Sequence, residues 1–222
     1  MRLALFDLDG TLLPIDSDHA FGEFLIAQGW ADAAEYRRRN DAFYEQYKAE
    51  RLDIAAYVDF CTAPWRDRPD DVLRAAQRRF VDEVVRPALH PAALALVQRH
   101  RDEGDLLALV TATNDFITRP IADLFGVKTL IATELERDAS GRVTGAIRGT
   151  PSFREGKIVR VDAWLRDRGR RWGDFDDQVF YSDSTNDLPL LERVSQPVAT
   201  NPGPALEAVA RQRQWPILKL FE

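Results

Sequence analysis

Asp7 and Asp9 stand just beyond a short apolar run, residues 3–6, and are followed at once by Gly10 and Thr11. Side chains alternate between faces along a strand, but past the strand's end a turning backbone can aim both carboxylates at one small volume. Two crowded carboxylates repel each other, which raises a pKa unless a cation or a shared proton sits among them. The pair therefore calls for a bound metal or for proton transfer; the plainer alternative is a strand followed by an Asp-Gly turn. Gly10 suits a sharp turn that brings backbone amides close to a ligand.

Three further polar signals stand next to apolar or amphipathic stretches. Residues 106–110 lead into Thr111 and Ala112, and residues 179–181 lead into Ser182, Asp183, Ser184, Thr185, Asn186 and Asp187. Each run reads as a buried parallel strand delivering polar groups at its carboxyl end, the edge where open α/β sheets bind ligands. Arg154, Glu155, Gly156 and Lys157 open an amphipathic stretch with Ile158, Val161, Ala163 and Leu165, so Lys157 falls in the first turn of a helix. Taken singly these residues have simpler readings. Lys157 is an ordinary solvated helix lysine, Thr111 a strand-end hydroxyl, Asn114 or Asp115 a helix cap, and Asn186 and Asp187 the start of a helix through Leu188, Leu190 and Leu191.

The elements that must position these groups give an α/β fold, a Rossmann-like parallel sheet core flanked by helices. Residues 20–85 differ in texture, with aromatic and aliphatic residues at helical spacing: Phe21, Phe24 and Leu25, then Phe43, Tyr44 and Tyr47, then Ile54, Tyr57, Val58 and Phe60. We read a helical cap, residues 16–86, inserted after the first strand of a core made of residues 1–15 and 87–222. Pro64 and Pro69 punctuate the cap, and Pro87 and Pro91 mark the return to the core, where a helix runs to about Glu103. The aromatic stripes read first as helix packing, but a cap over the strand tips would exclude water and select the leaving group. Further on, residues 127–134 read as a strand, 142–147 as part of a hairpin, 197–200 and 217–220 as late strands around a helix at 204–211. The terminal run, residues 215–222, reads as a packed edge strand.

With 222 residues and 45% hydrophobic content, the chain can bury a substantial core as one domain with an insertion. Thirty basic against 36 acidic residues, a formal charge of -6, disfavour nonspecific nucleic-acid binding. Arg37 to Arg39 and Arg168, Arg170 and Arg171 read as solvated helix faces. The chain enters its first strand without a charged leader, and no apolar run approaches a membrane span, so no membrane partner is expected. Cys61, the one cysteine, excludes an intramolecular disulfide, suits a reducing cytoplasm and reads as a buried structural thiol. His19, His90 and His100 lack metal-ligand spacing, but His19 follows Asp16, Ser17 and Asp18 and is placed to face the site.

The four ordered signals, DLDGT at Asp7 to Thr11, Thr111 at a strand end, Lys157, and SDSTND at Ser182 to Asp187, resemble the haloacid dehalogenase-like hydrolase superfamily, in its phosphoserine phosphatase-like branch. The resemblance implies a magnesium-dependent phosphatase acting on a small phosphomonoester through an aspartyl-phosphate. It makes Asp7 the nucleophile, Asp9 the general acid and base, and Thr111 and Lys157 the phosphate ligands. Asp7, Asp9 through its backbone carbonyl, and Asp183 would hold Mg2+, with Asp187 as a supporting acid and Asp16, Ala112 and Asn186 lining the substrate.

The chemistry suits those residue types. A phosphate dianion repels a carboxylate nucleophile, so Asp7 needs a divalent cation and positive donors beside it, and Mg2+ takes oxygen ligands. Asp9 must carry a proton at working pH, so nearby negative charge should raise its pKa. Asp16 lies where the phosphoserine phosphatase pattern has a Glu, and an acid there favours a substrate amine. Arg66 is either a carboxylate ligand or a surface arginine. Thr111 to Asp115, TATND, departs from the Ser-Gly-Gly loop of phosphoserine phosphatases and resembles bacterial histidinol-phosphate phosphatases. Histidinol phosphate or another amino-alcohol phosphate is thus the expected substrate, with phosphoserine or broad specificity as alternatives. A slowly released regulatory phosphoprotein, a carbon-halogen hydrolase and a noncatalytic module are disfavoured by the presence of Asp9 and of the whole charged set.

Overall fold

The computed structural model describes residues 1–49 and 51–221. Leu3–Phe6 forms β1, and all four side chains are fully buried because the strand is covered on both faces. Beside it run β2 (Leu106–Asn114), β3 (Leu130–Thr133), β6 (Gln178–Ser182), β7 (Gln196–Thr200) and β8 (Ile217–Leu218), all parallel, in the order β3-β2-β1-β6-β7-β8. The chain builds outward from β1 first to one side and then to the other, so the carboxyl end of β1 is a topological switch point. Phe6 is level with Leu109 and Tyr181, which brings Asp7, Thr111 and Asp183 to neighbouring positions on that edge.

Between β1 and β2 lie α1 (Ser17–Ala27), α2 (Ala33–Lys48), α3 (Ile54–Thr62), α4 (Asp70–Phe80), a π-helical turn at Val81–Val85, α5 (Arg86–Ala88) and α6 (Pro91–Asp102). Asp16, Asp32 and Asp53 cap α1, α2 and α3, each side chain accepting from backbone N–H groups of the first turn. After β2 come α7 (Asp115–Leu124), a hairpin of β4 (Leu135–Arg137) and β5 (Val143–Ile147), α8 (Glu155–Asp167), α9 (Leu188–Leu191) and α10 (Pro204–Arg213).

Two apolar clusters cover the faces of the sheet. Leu3 and Leu5 point into the one formed with α8, α9 and α10; Ala4 and Phe6 point into the other, formed with α1, α4, α6 and α7. The inserted helices are not uniform in their packing. Phe21 of α1 and Phe80 of α4 meet edge to face at 5.0 Å within the core cluster, and Trp65 stacks at 4.5 Å on Phe116 of α7. By contrast α2 and α3 share a small cluster of their own around Tyr36, Phe60 and Cys61, and α3 packs on β5.

Several expected boundaries move. β2 continues past Val110 to Asn114, since its threonines and asparagine remain extended on the way to α7. β3 begins only at Leu130, because Val127 N–H is spent on the carbonyl of Ala122 at the end of α7. Helical backbone runs from Asp70 through Pro87 to Ala88, so Pro87 lies within a helix and Pro91 alone starts the next one; the π-helical turn precedes the proline, where the ladder is interrupted. At the terminus β8 stops at Leu218, and Leu220 N–H turns to Asn201 Oδ1 at 2.6 Å; Glu222 lies outside the described residues. Among the described residues no helix is long and apolar enough to cross a membrane.

Phe80 is 1% exposed at the junction of α1, α4 and the core. We expect Phe80→Ala to cost about 3–5 kcal/mol in urea unfolding with a single cooperative transition. Two separated transitions would show instead that the inserted helices melt on their own.

Candidate active site

The carboxyl edge of β1, β2 and β6 opens into a cavity of about 420 Å³ lined on one side by Asp7, Asp9, Thr111, Ala112, Lys157 and Asp187, and on the other by residues of α1, α2 and α3. Lys157 is 2% exposed and so is no solvated surface lysine. Its Nζ donates to Asp7 Oδ1 at 2.9 Å and lies 2.6 Å from Asp187 Oδ1, while Ser182 Oγ donates to Asp187 Oδ2 at 2.7 Å. The loop before α8 is pinned to deliver it: Ser152 Oγ donates to the Ile131 carbonyl and Ser152 N–H to Thr133 Oγ1. A Cβ at Gly156 would stand 2.1 Å from the Pro151 carbonyl oxygen, so the first turn of α8 closes on that loop only with glycine there.

Asp183 sits behind Asp7, and Thr11 Oγ1 lies between them, 3.2 Å from Asp183 Oδ1 and 3.5 Å from Asp7 Oδ2. Gly10 has a φ of +74°, and a Cβ there would come within 2.4 Å of Asp183 Oδ2. Conformation and space both demand glycine at that turn. The turn is tied to the carboxyl end of β7 by Asn201 Nδ2, which donates to the carbonyls of Gly10 and Thr11.

Asp9 accepts two hydrogen bonds at 2.8 Å, Oδ1 from Ser17 N–H and Oδ2 from Thr113 Oγ1. Thr111 Oγ1 accepts from Thr113 N–H at 3.2 Å. Asn186 is buried, its Nδ2 is 3.5 Å from the Tyr47 carbonyl, and its Oδ1 has no hydrogen-bond partner among the described residues. Tyr47 of α2 also shares a 3.0 Å hydrogen bond with Ser184, so the end of α2 touches the loop after β6.

Burial dominates the electrostatics. It pushes Asp7 up to about 6 against the pull of Lys157, with Asp187 adding to the rise. It pushes Asp9 up to about 7, helped by Asp16 and Asp7 and opposed by the bonds from Ser17. Asp183 is driven well above the usual carboxylate range by burial, then by Asp7 and Asp187. Burial opposes the charge on Lys157, but Asp187 and Asp7 outweigh it and hold the ammonium protonated beyond the ordinary lysine range. Lys157 is the only Lys or Arg among the described residues lining the cavity. One ammonium among Asp7, Asp9, Asp183 and Asp187 leaves an excess of negative charge, and the donors are all oxygens. Asp7, the Asp9 carbonyl and Asp183 are thus suited in chemistry to a hard divalent cation.

The structure brings Asp16 and His19 to the cavity wall, Asp16 as the cap of α1 accepting from His19 N–H, and His19 Nδ1 at 3.1 Å from Asn40 Nδ2. Arg66 does not line the cavity: it pairs with Asp59 at 2.5 Å and lies against Gly145 of β5. Cys61 is buried, and His100 bonds Asp105 and Tyr181 near the start of β2, away from the site. Asn114 is the cap of α7, while Asp115 accepts from Leu135 N–H. Sequence reasoning missed Thr11, Thr113, Ser182, Asp18, Asn40 and Tyr57. Thr113 lies two residues on from Thr111 in a strand, which places both on one side; nothing local announces Asn40 or Tyr57, which arrive by helix docking.

The model of the family "haloacid dehalogenase-like hydrolase" matches residues 4–192. A histidinol-phosphatase of Neisseria meningitidis is 44% identical over 98% of each chain. A phosphoserine phosphatase of Mycobacterium tuberculosis is 30% identical, matching 96% of this chain and 69% of that one. Among solved structures, a Bordetella pertussis protein of unknown function superposes with a TM-score of 0.93 at 50% identity over 99% of each chain. A substrate-bound phosphoserine phosphatase superposes with a TM-score of 0.68 over 97% of this chain and 91% of that one; at 17% identity it speaks for the fold alone.

Removing the ammonium leaves Asp7 with the burial that raises its pKa and without the charge that lowers it. A carboxyl whose folded pKa, about 6 with Lys157 present, exceeds its ordinary 3.8 binds its proton more tightly when folded, so stability falls as pH rises through that window. In EDTA we expect Lys157→Met to lose about 3–5 kcal/mol at pH 8 by urea unfolding, and to regain much of it at pH 5. An equal loss at both pH values would show that the ammonium does not counter the carboxylates.

Proposed function

This chain belongs to the haloacid dehalogenase-like hydrolase family and is a phosphatase, and from that premise we propose that it hydrolyses histidinol phosphate, or a close amino-alcohol phosphate, with Mg2+ and through an aspartyl-phosphate on Asp7. The observation that carries the substrate assignment is the polarity of the cavity. Its sheet side holds Lys157; its helix side holds Asp16, Asp18 and Asp41 with Phe43, Tyr44, Tyr47 and Tyr57, and no Lys or Arg among the described residues. A leaving group that is cationic and carries a flat ring fits that wall. A substrate carboxylate does not, since Arg66 is engaged elsewhere, and this weighs against phosphoserine. The 44% identical histidinol-phosphatase supports the same choice.

In this reading residues 16–86 act as a cap over a core of residues 1–15 and 87–222. Asp7 attacks phosphorus; the acyl-phosphate bond forms as the ester P–O bond breaks. Lys157, held to Asp7 Oδ1, fixes the nucleophile's orientation and offers positive charge to the phosphoryl oxygens. Thr111, with Ala112 beside it, supplies hydrogen bonds to the same oxygens, and Asn186 bounds the phosphate end. Asp9 gives its proton to the leaving alkoxide and then takes one from the water that opens the aspartyl-phosphate. With Asp9 pushed up to about 7, both forms are populated near neutrality. Ser17 N–H and Thr113 Oγ1 hold it in place through both half-reactions. Asp187 keeps Lys157 charged and aimed. Mg2+, held by Asp7, Asp183 and the Asp9 carbonyl, would supply the positive charge that lets a carboxylate approach a phosphate dianion. A phosphoprotein that releases phosphate slowly has no use for a proton-transfer group such as Asp9.

Phosphate release from histidinol phosphate, phosphoserine, sugar phosphates and nucleotides tests the reading. We expect release to favour histidinol phosphate, to stop in EDTA and return with Mg2+, and to fall to background in Asp7→Asn. Asp9→Asn should lower turnover about 10²- to 10⁴-fold while Mg2+ binding persists. Release that survives Asp7→Asn overturns the mechanism, and equal rates across the panel overturn the substrate.

A further inference from the structure

We propose that Asp18 is a specificity-determining residue whose carboxylate pairs with the protonated amine of the leaving alcohol. This rests on the phosphatase reading above and deepens it. Asp18 lies in the first turn of α1, two residues beyond the cap Asp16, and lines the same cavity as Asp7 and Lys157. It is 8% exposed, and its Oδ1 has no hydrogen-bond partner among the described residues. The Tyr57 side chain of α3 lines the same stretch of wall. Asp16, by comparison, already spends Oδ1 on His19 N–H.

A buried carboxylate oxygen without a partner is costly in the free protein. Stability alone gives no reason to keep it, because an apolar residue would pack against α3 at lower cost. Among the described residues no Lys or Arg pairs with it: Lys157 is committed to Asp7 and Asp187, Arg66 to Asp59, and His19 Nδ1 lies against Asn40. Around it stand Asp16, Asp9, Tyr57, Tyr36 and Cys61, which supply negative or neutral neighbours only; burial first, then Asp16 and Asp9, pushes its pKa well up. A cation arriving beside such a group favours its charged form. The amine of an amino-alcohol phosphate is a cation two bonds from the ester oxygen's carbon, close enough to reach α1 while Asp9, bonded to Ser17 N–H at the start of the same helix, serves that oxygen. Asp18 thereby reads charge at the leaving group while taking no part in phosphoryl transfer.

The test compares wild type with Asp18→Asn, an isosteric change, on histidinol phosphate, its N-acetyl derivative and p-nitrophenyl phosphate, all with Mg2+. We expect Asp18→Asn to lose about 10- to 100-fold in kcat/KM for histidinol phosphate, mostly through KM. Hydrolysis of p-nitrophenyl phosphate should stay within about twofold, the size of change expected when no charged contact is removed. Wild type should discriminate against the N-acetyl ester by a similar factor, and the variant should not. Asp18→Glu, which restores the charge, should recover part of the preference. Equal losses on all three esters would reduce Asp18 to a structural role and overturn the proposal, as would an unchanged preference for the free amine. Hydrolysis of p-nitrophenyl phosphate without any preference for the amine in wild type would overturn the proposal while leaving the phosphatase intact. Failure of wild type on every ester would overturn both readings together.

Discussion

Lys157 carries its charge almost wholly removed from solvent, between Asp7 and Asp187. Three separated stretches of chain supply that contact: the tip of β1, the first turn of α8 and the loop after β6. Taking an ammonium and two carboxylates out of water is costly, and their mutual attraction offsets the cost only where the geometry is fixed on every side. The surrounding structure meets that condition. Ser182 bonds Asp187, Ser152 anchors the approach to α8, and Gly156 lets the helix start against Pro151. The ion triad therefore depends on the parallel register of β1 and β6, and its charges act on Asp7 and Asp183 second to burial.

Much of this was legible from residue order. Apolar runs that end abruptly in Asp, Thr or Ser identify parallel strands and their carboxyl edge, because strands covered on both faces admit almost no polar residue until they emerge. So β1, β2 and β6, with the residues at their tips, could be read directly, as could Lys157 in a first helical turn. Legibility failed where backbone continued through polar residues: the strand was expected to end at Thr111 but runs on to Asn114, which hid the Thr113 hydroxyl that holds Asp9. It failed again where position depends on docking of distant helices. Asn40 and Tyr57 reach the cavity from α2 and α3, and Arg66, a candidate ligand by residue type, turns to Asp59 beside the hairpin.

The raised titration of Asp9 shows why residue type alone did not suffice. Neighbouring negative charge was the expected cause, and Asp16 and Asp7 do contribute, but loss of solvent is the larger effect. That desolvation comes from the inserted helices: Ser17 at the start of α1 covers one carboxylate oxygen, and the cavity wall behind it is α2 and α3. The acid and base of the proposed reaction is thus tuned by the segment that also lines the helix side of the cavity.

Packing within the inserted segment divides along the same line. Phe21, Phe80 and Trp65 bind α1, α4 and the turn after α3 into the core cluster, so the stretch that holds Asp9 and carries Asp16 and Asp18 is rigidly placed. The aromatic wall on α2 and α3 rests on the small Tyr36, Phe60 and Cys61 cluster and meets the loop after β6 through Tyr47. A small cluster with few buried neighbours opens at lower free energy than a shared core. Displacing α2 and α3 therefore costs less than displacing α1, which shares the main core. A displacement confined to α2 and α3 would leave the bond from Ser17 N–H to Asp9, and so the proposed acid and base, in place.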